Sequence, residues 1–290
     1  MSYYSRVCEG LALGSILALS FCATAKAQDQ AATATAQLQT PPVNAAVAPN
    51  SSSGNTSSTS NDGTWHFESL SYLWFPGIHG TVGARGYQAS PSVSPSDLVS
   101  HFNFGIMGSF AANYNRWGIP FDYIFVKVDD DKTFTNLPGY TANPSLKQSM
   151  LTPKVTYLVL DSQRVQIKAT AGIRYWHLGE NLKLSGPAGA SISFGTSQNW
   201  VDVLGGGNIV VPFSPKIAVM ILGDAGGGGA NVDYQVAGII NYQLKQKWGI
   251  GLGYRYMDVN YRNSNRFIFD TVQSGIALTL LYKYGKPTNQ

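Results

Sequence analysis

The last apolar segment of the chain, 271–284, sorts its residues by parity. Even positions carry Val272, Ser274, Ile276, Leu278, Leu280, Tyr282 and Tyr284. Odd positions carry Thr271, Gln273, Gly275, Ala277, Thr279 and Lys283, with Leu281 as the exception. Successive side chains of a strand point to opposite faces, so this segment predicts a strand between two unlike surroundings. An apolar face ending in aromatics, backed by a small polar face, fits lipid on one side and a wet or packed lumen on the other. Such a segment points to where the chain resides.

Nine further segments show related patterns, at about 65–75, 104–115, 117–128, 147–159, 164–177, 198–211, 215–225, 232–244 and 247–260. Each approximates the ~9–11 residues of a tilted membrane-crossing strand. In 247–260, Trp248, Ile250, Leu252, Tyr254 and Tyr256 oppose Gly249, Gly251, Gly253 and Arg255. In 164–177, Val165, Ile167, Ala169, Ala171, Ile173 and Tyr175 oppose Gln166, Lys168, Thr170, Gly172, Arg174 and Trp176. In 117–128, Trp117, Ile119, Phe121, Tyr123 and Phe125 oppose Gly118 and Asp122. A soluble β-sandwich or lipocalin-like barrel also alternates, but its outer face is charged, and here the apolar face is nearly free of charge. Tight connections at 115–116, 160–163, 212–214 and 245–246 alternate with long ones at 76–103, 129–146, 178–197 and 261–270, with the short link 226–231 as exception. That asymmetry is the pattern of short periplasmic turns and long outer loops. The expected fold is an all-β antiparallel transmembrane barrel of ten strands over 64–290. A hairpin inside 78–93 would raise the number to twelve, and merged segments would lower it to eight.

The segments preceding the barrel differ in kind. Residues 1–27 place Arg6 before an apolar run from Leu11 to Cys22 and end in Ala25-Lys26-Ala27, a secretory signal-peptide pattern. The run is too short for a spanning helix, and Phe21 before Cys22 disfavours lipoprotein processing. Residues 28–63 are Ala, Thr, Gln, Ser, Asn and Pro without an aromatic, and are expected to form a disordered leader. Cys8 and Cys22 both fall in the signal segment, so the mature chain would hold neither disulfide nor thiolate chemistry. The whole-chain charge of +4 leaves +5 on the barrel, spread without basic clusters, and this excludes a nucleic-acid footprint. The implied location is the bacterial outer membrane.

The segment 65–128 contains Tyr72-Leu-Trp74-Phe-Pro76-Gly77-Ile78-His-Gly80, Asp97-Leu98, Phe104-Gly-Ile-Met107-Gly108-Ser-Phe110 and Arg116-Trp117-Gly118, followed by Asp122-Tyr123. This resembles a group of small bacterial outer-membrane β-barrel proteins described as uncharacterised or porin-like. The resemblance implies the fold and carries no activity. The end of the chain, Gln273, Gly275, Leu278 and Leu280, looks like the signal read by the barrel-assembly machinery, although residues 285–290 follow Tyr284 where such signals finish in an aromatic.

The inward face is expected to hold Glu68, Asp122, Asp202 and Asp224 against Lys154, Lys168, Arg174 and Arg255, a balanced charge network. Ten strands enclose little more than side chains, so these charges form an ion-paired core or line a narrow solute path. Trp117, Tyr175, Trp248, Tyr254, Tyr256, Tyr282 and Tyr284 are the expected aromatic girdles. In loop 76–103, Ser94 to Phe102 starts with capping residues, and Leu98, Val99 and Phe102 are expected to bury in a lid-like turn of helix. Rim residues Asp129, Asp130, Asp131, His177 and Asp258 stand in no nucleophile or metal-ligand motif, so no enzyme, metal or cofactor is expected. The function implied is structural or porin-like for small solutes. The alternatives are a binding surface using Phe134, Leu137 and Tyr140, and an outer-membrane hydrolase using rim Asp and His.

Overall fold

The computed structural model describes residues 63–84, 87–129, 132–133, 141–264 and 267–284; the expected signal peptide and nearly all of the leader lie outside them. Ten long strands form the wall: β1 Trp65–Ala84, β2 Phe102–Tyr114, β3 Trp117–Asp129, β4 Thr141–Asp161, β5 Gln166–Ser185, β6 Ser191–Pro212, β7 Ile217–Gly228, β8 Val232–Gln243, β9 Trp248–Arg262 and β10 Ile268–Tyr284. Each pairs antiparallel with its sequence neighbours, and β10 closes on β1 from Phe67↔Tyr284 to Gly83↔Ile268. Closure removes both sheet edges, which lipid would leave without hydrogen-bond partners.

Short links gather at one end. Asn115, at φ 50, takes the left-handed conformation that an Asn tolerates in a two-residue turn. The Ser162 and Ser214 hydroxyls accept from the Val165 and Ile217 amides, each at 3.1 Å, and so pin two more turns. The opposite, loop end differs from expectation. Much of the polar sequence expected as loop continues the strands: β4 pairs β5 up to Thr141↔Ser185, and β5 pairs β6 up to Ser185↔Ser191. An antiparallel ladder needs no apolar outer face once it rises into water, so pairing outruns the lipid-facing pattern. The 78–93 hairpin exists as Tyr87–Ala89 and Ser92–Val93 laid against β1, and the barrel remains ten-stranded.

The outer face is apolar: Ile240, Val203 and Leu252 are 58%, 66% and 56% exposed. A turn-end ring of aromatics includes Trp65 with Tyr114 at 5.1 Å, Trp117 with Tyr157 at 4.8 Å, and Trp248 with Tyr282 at 4.6 Å; Tyr284 stands edge-on to Tyr282. Tyr234 and Tyr256, 5.9 Å apart, mark the other boundary together with Tyr175, and Tyr254 lies just inside it. Along β9 this band runs from Trp248 to Tyr256, roughly 20 Å for a strand tilted by ~40°.

One seam departs from regular pairing. The β1–β2 ladder runs from Trp65↔Tyr114 only to Ser71↔Gly108. Above it the Trp74 amide donates to Met107 Sδ at 3.3 Å, and Ser92–Val93 and helix α1 (Pro95–Ser100) take the place beside β1. Ser94 caps α1: its hydroxyl accepts from the Asp97 amide while Asp97 accepts from the Ser94 amide. The expected lid is thereby corrected. Leu98 is only half-buried, Val99 and Phe102 are exposed, and none joins the lumenal core, because α1 follows a segment paired along the wall.

Candidate functional site

The inward side chains stack in three tiers. The middle tier is ionic. Arg174, fully buried on β5, donates to Asp224 Oδ1 on β7 at 2.7 Å and to Asp233 on β8, and its Nε reaches Thr152. Lys154 on β4 meets the second oxygen of Asp224 at 2.5 Å, which also accepts from Gln235 Nε2 at 2.6 Å. Gln235 in turn accepts from Arg255 on β9 at 2.6 Å. Arg255 donates to Tyr72 Oη at 3.2 Å and lies 4.8 Å from the Trp74 ring centroid. The Tyr72 hydroxyl donates to Asp122 at 2.8 Å. These groups come from seven strands, so the network ties opposite walls together. Buried charges persist in such a place only when each is paired and hydrogen-bonded.

Toward the loop end lies an aromatic tier. Trp176 stacks on Trp200 at 5.4 Å, Trp200 on Tyr261 at 4.0 Å, and Phe269 packs against both indoles. Met150, Leu178, Met257 and Val259 fill the space between. Each indole N–H is satisfied by a carboxylate at 2.9 Å, Trp176 by Asp233 and Trp200 by Asp202. Asp202 also accepts from the Ala230 amide at 2.7 Å, and this ties the 229–231 link to the core. Such satisfied polar handles let tryptophans fill a core without an orphaned donor.

Toward the turn end the lumen is hollow. A cavity of about 330 Å³ is lined by Glu68, Lys168, Asn208, Leu222, Thr279 and Lys283 among others, and extends to the turn residues Ser214–Lys216. Small inward residues such as Gly249, Ala218 and Ala237 leave this space open.

The eight charges read from the sequence all face inward. Asp122, Lys154, Arg174, Asp224 and Arg255 share the network, Asp202 sits above it, and Glu68 and Lys168 line the cavity below. Sequence reasoning omitted Asp233 and Lys283. Alternation in Val232-Asp233-Tyr234-Gln235-Val236 and the odd parity of Lys283 carried the signal for both. Lys283 faces Glu68 across the closing ladder.

At the rim, His177 shares a 2.5 Å hydrogen bond with Asn199. Asp129 pairs with Lys127 at 2.7 Å and accepts from Asn103 at 2.6 Å. Partial burial pulls the Asp129 carboxyl up, but its bonds to Lys127, Ser145 and Asn103 outweigh that and hold it below the usual range. Asp258 lies near Tyr234. Asp130, Asp131, Phe134, Leu137 and Tyr140 lie outside the described residues. Among the described residues, no group of three His, Cys, Asp or Glu is placed to hold a metal ion.

No protein-family model matches the chain, and comparison with curated proteins finds no match. Solved structures do match. The outer membrane protease OmpT from Escherichia coli aligns with 80% of this chain and 100% of its own at TM-score 0.51 and 11% identity. The fold is that of an outer-membrane β-barrel. The attachment invasion locus protein Ail of Yersinia pestis covers 76% of this barrel chain and 98% of its own at TM-score 0.34 and 13% identity. The translocator domain of the autotransporter NalP from Neisseria meningitidis covers 78% and 91% at TM-score 0.32 and 11% identity.

Proposed function

We propose that the protein resides in the bacterial outer membrane as a barrel with a sealed lumen, turns facing the periplasm, whose role is structural, with small solutes admitted to the turn-end vestibule. The observation carrying this reading is the pair of stacked closures above the vestibule: the Arg174–Asp224–Asp233 ionic tier and the Trp176–Trp200–Tyr261 aromatic tier. A freely conducting pore needs a continuous wet path, and packed rings and compensated ion pairs do not supply one. The apolar band with its aromatic girdles supports the membrane location. In β10, Gln273 and Gly275 face inward and Leu278 and Leu280 outward, so an assembly receptor would meet the leucines at the outer surface.

Planar-bilayer recording on purified, folded protein tests the reading. The expected record is silent, without stable channel steps. A steady conductance from the unaltered barrel would overturn the sealed-lumen reading and restore the porin-like one.

A further inference from the structure

The vestibule is built asymmetrically, and besides Lys216, exposed at the turn, one of its cations stands unpaired. Lys154 and Arg174 hold Asp224, Arg255 is bound by Tyr72 and Gln235, and Lys283 faces Glu68. Among the described residues, the partly buried Lys168 has neither ion-pair nor hydrogen-bond partner, although it lines the cavity. Its neighbour across the β5–β6 ladder is Asn208, whose buried Oδ1 is without a partner. On the far wall the hydroxyl of Thr279, a residue only 7% exposed, is also without a partner. Beside Lys168, strands β6 to β8 present Val210, Met220, Leu222 and Ile239 to the same space. An ammonium that lines a cavity without a counter-charge is free to receive an anion, and the Thr279 hydroxyl is a donor in want of an acceptor. An apolar wall next to them selects against a bare ion.

We propose that this vestibule is a binding site for a small organic anion, a carboxylate or phosphate carried on a compact apolar body. Lys168 takes the charge, the side-chain N–H of its cross-strand neighbour Asn208 donates to the charged head, and the β6–β8 wall covers the body. A volume of about 330 Å³ suits a body of roughly one ring, at the small end of ligand pockets. The site needs the turn end to be open to water but does not depend on the tiers above being sealed.

Calorimetric titration of the folded protein in lipid nanodiscs, with phenylacetate, phenylphosphate, inorganic phosphate and benzyl alcohol as probes, tests the inference. Both organic anions are expected to bind more tightly than inorganic phosphate and benzyl alcohol. Lys168→Met should weaken the organic anions about tenfold or more, as loss of a charge-assisted bond does, while Lys168→Arg retains them. Leu222→Asn should weaken the organic anions and leave inorganic phosphate unchanged. Equal affinity for benzyl alcohol, or unchanged anion binding by Lys168→Met, overturns the proposal. Should Lys168→Met fail to fold, ¹³C-dimethylation of the unaltered protein, with the Lys168 resonance assigned by Lys168→Arg, supplies the decision. Phenylphosphate must shift that resonance, and no shift at saturation overturns the site. Channel steps alongside intact binding would sink the sealed-lumen reading and leave this one standing.

Discussion

Replacing Arg174 by Met removes one guanidinium from between two carboxylates, and the two are not equally dependent on it. Asp224 keeps Lys154 at 2.5 Å and Gln235 at 2.6 Å. Asp233 loses its only cation among the described residues and keeps the Trp176 indole N–H at 2.9 Å and its hydrogen-bonded neighbour, the equally buried carboxyl of Asp202. Both Arg174 and Asp233 are fully buried, so water cannot take over the lost role. Breaking a buried pair by removing one partner costs about 3–5 kcal/mol, most of it the stranded charge. Arg174→Met should therefore lower the unfolding free energy by about that amount. Asp233→Asn alone leaves Arg174 bound to Asp224 and should cost less, about 1–2 kcal/mol. The double variant removes the stranded charge itself, so it should recover about 2 kcal/mol relative to Arg174→Met; with the unadded cost of Asp233→Asn this is a coupling of about 3–4 kcal/mol, well above the ~0.5 kcal/mol expected of independent sites. Urea unfolding from lipid vesicles, followed by tryptophan fluorescence, measures all three. A loss under about 1 kcal/mol for Arg174→Met, or strict additivity in the double variant, would refute the view that compensated charge holds this tier.

Two further outcomes follow from the geometry. Glu180, inward on β5 above the loop-end girdle, has its carboxyl pushed up by burial. The folded state thus holds that proton more tightly than the unfolded chain, and the charged form costs stability as pH rises through the folded pKa. Glu180→Gln should raise the thermal midpoint at neutral pH, and the gain should vanish below about pH 4, where both states are protonated; a gain that is the same at both pH values contradicts this. Gly275 faces inward where β10 meets β1, and a Cβ there would lie 1.9 Å from the Phe75 carbonyl oxygen. Gly275→Ala should lose at least about 1–3 kcal/mol and a visible share of the heat-modifiable folded band. Gly205→Ala, which meets nothing within 4 Å, is the control and should fold normally.

Strand existence, facing and closure were readable because alternation over ten segments carries one bit per residue, and the lipid face repeats it in every strand. Trp248, Ile250, Leu252 and Tyr254 declare the outer surface without any tertiary information. The limits of that signal are physical. Above the lipid the outward positions turn polar, as at Gly179, Asn181, Lys183 and Ser185 and at Ser191, Ser193, Gly195 and Ser197, so the lipid-facing signal stops while alternation and pairing continue, and the strand ends were misplaced. The lid was misread for a related reason. Leu98 and Val99 announce burial, but what decides their place is the break in the β1–β2 ladder at Ser71↔Gly108, and pairing register leaves no local mark in sequence. The charges could be assigned to the lumen by parity, but not to tiers. Height along the barrel depends on strand stagger, which brings Asp224 and Asp233 from two other strands to Arg174.

The order of the tiers also explains why each carries the composition it does. An aromatic plug packed away from water leaves two indole N–H groups, from Trp176 and Trp200, that need acceptors within the core. Asp233 and Asp202 accept them, but carboxylates under an apolar plug need further donors or cations within reach. Arg174 supplies one to Asp233, and its remaining donors recruit Asp224, which Lys154 then shares from the vestibule side. Charge is thus handed down from Asp233 to the hollow through Arg174, Asp224 and Lys154, while Asp202 is held by the Ala230 amide and the Trp200 indole instead of a cation. The chain ends at Lys154, the last cation that the tier needs. Lys168, facing inward on β5 and lining the hollow, pairs with no carboxylate among the described residues. Its charge lies beyond the structural requirement, and this separates the vestibule from the core as the part of the lumen free to take up something from outside.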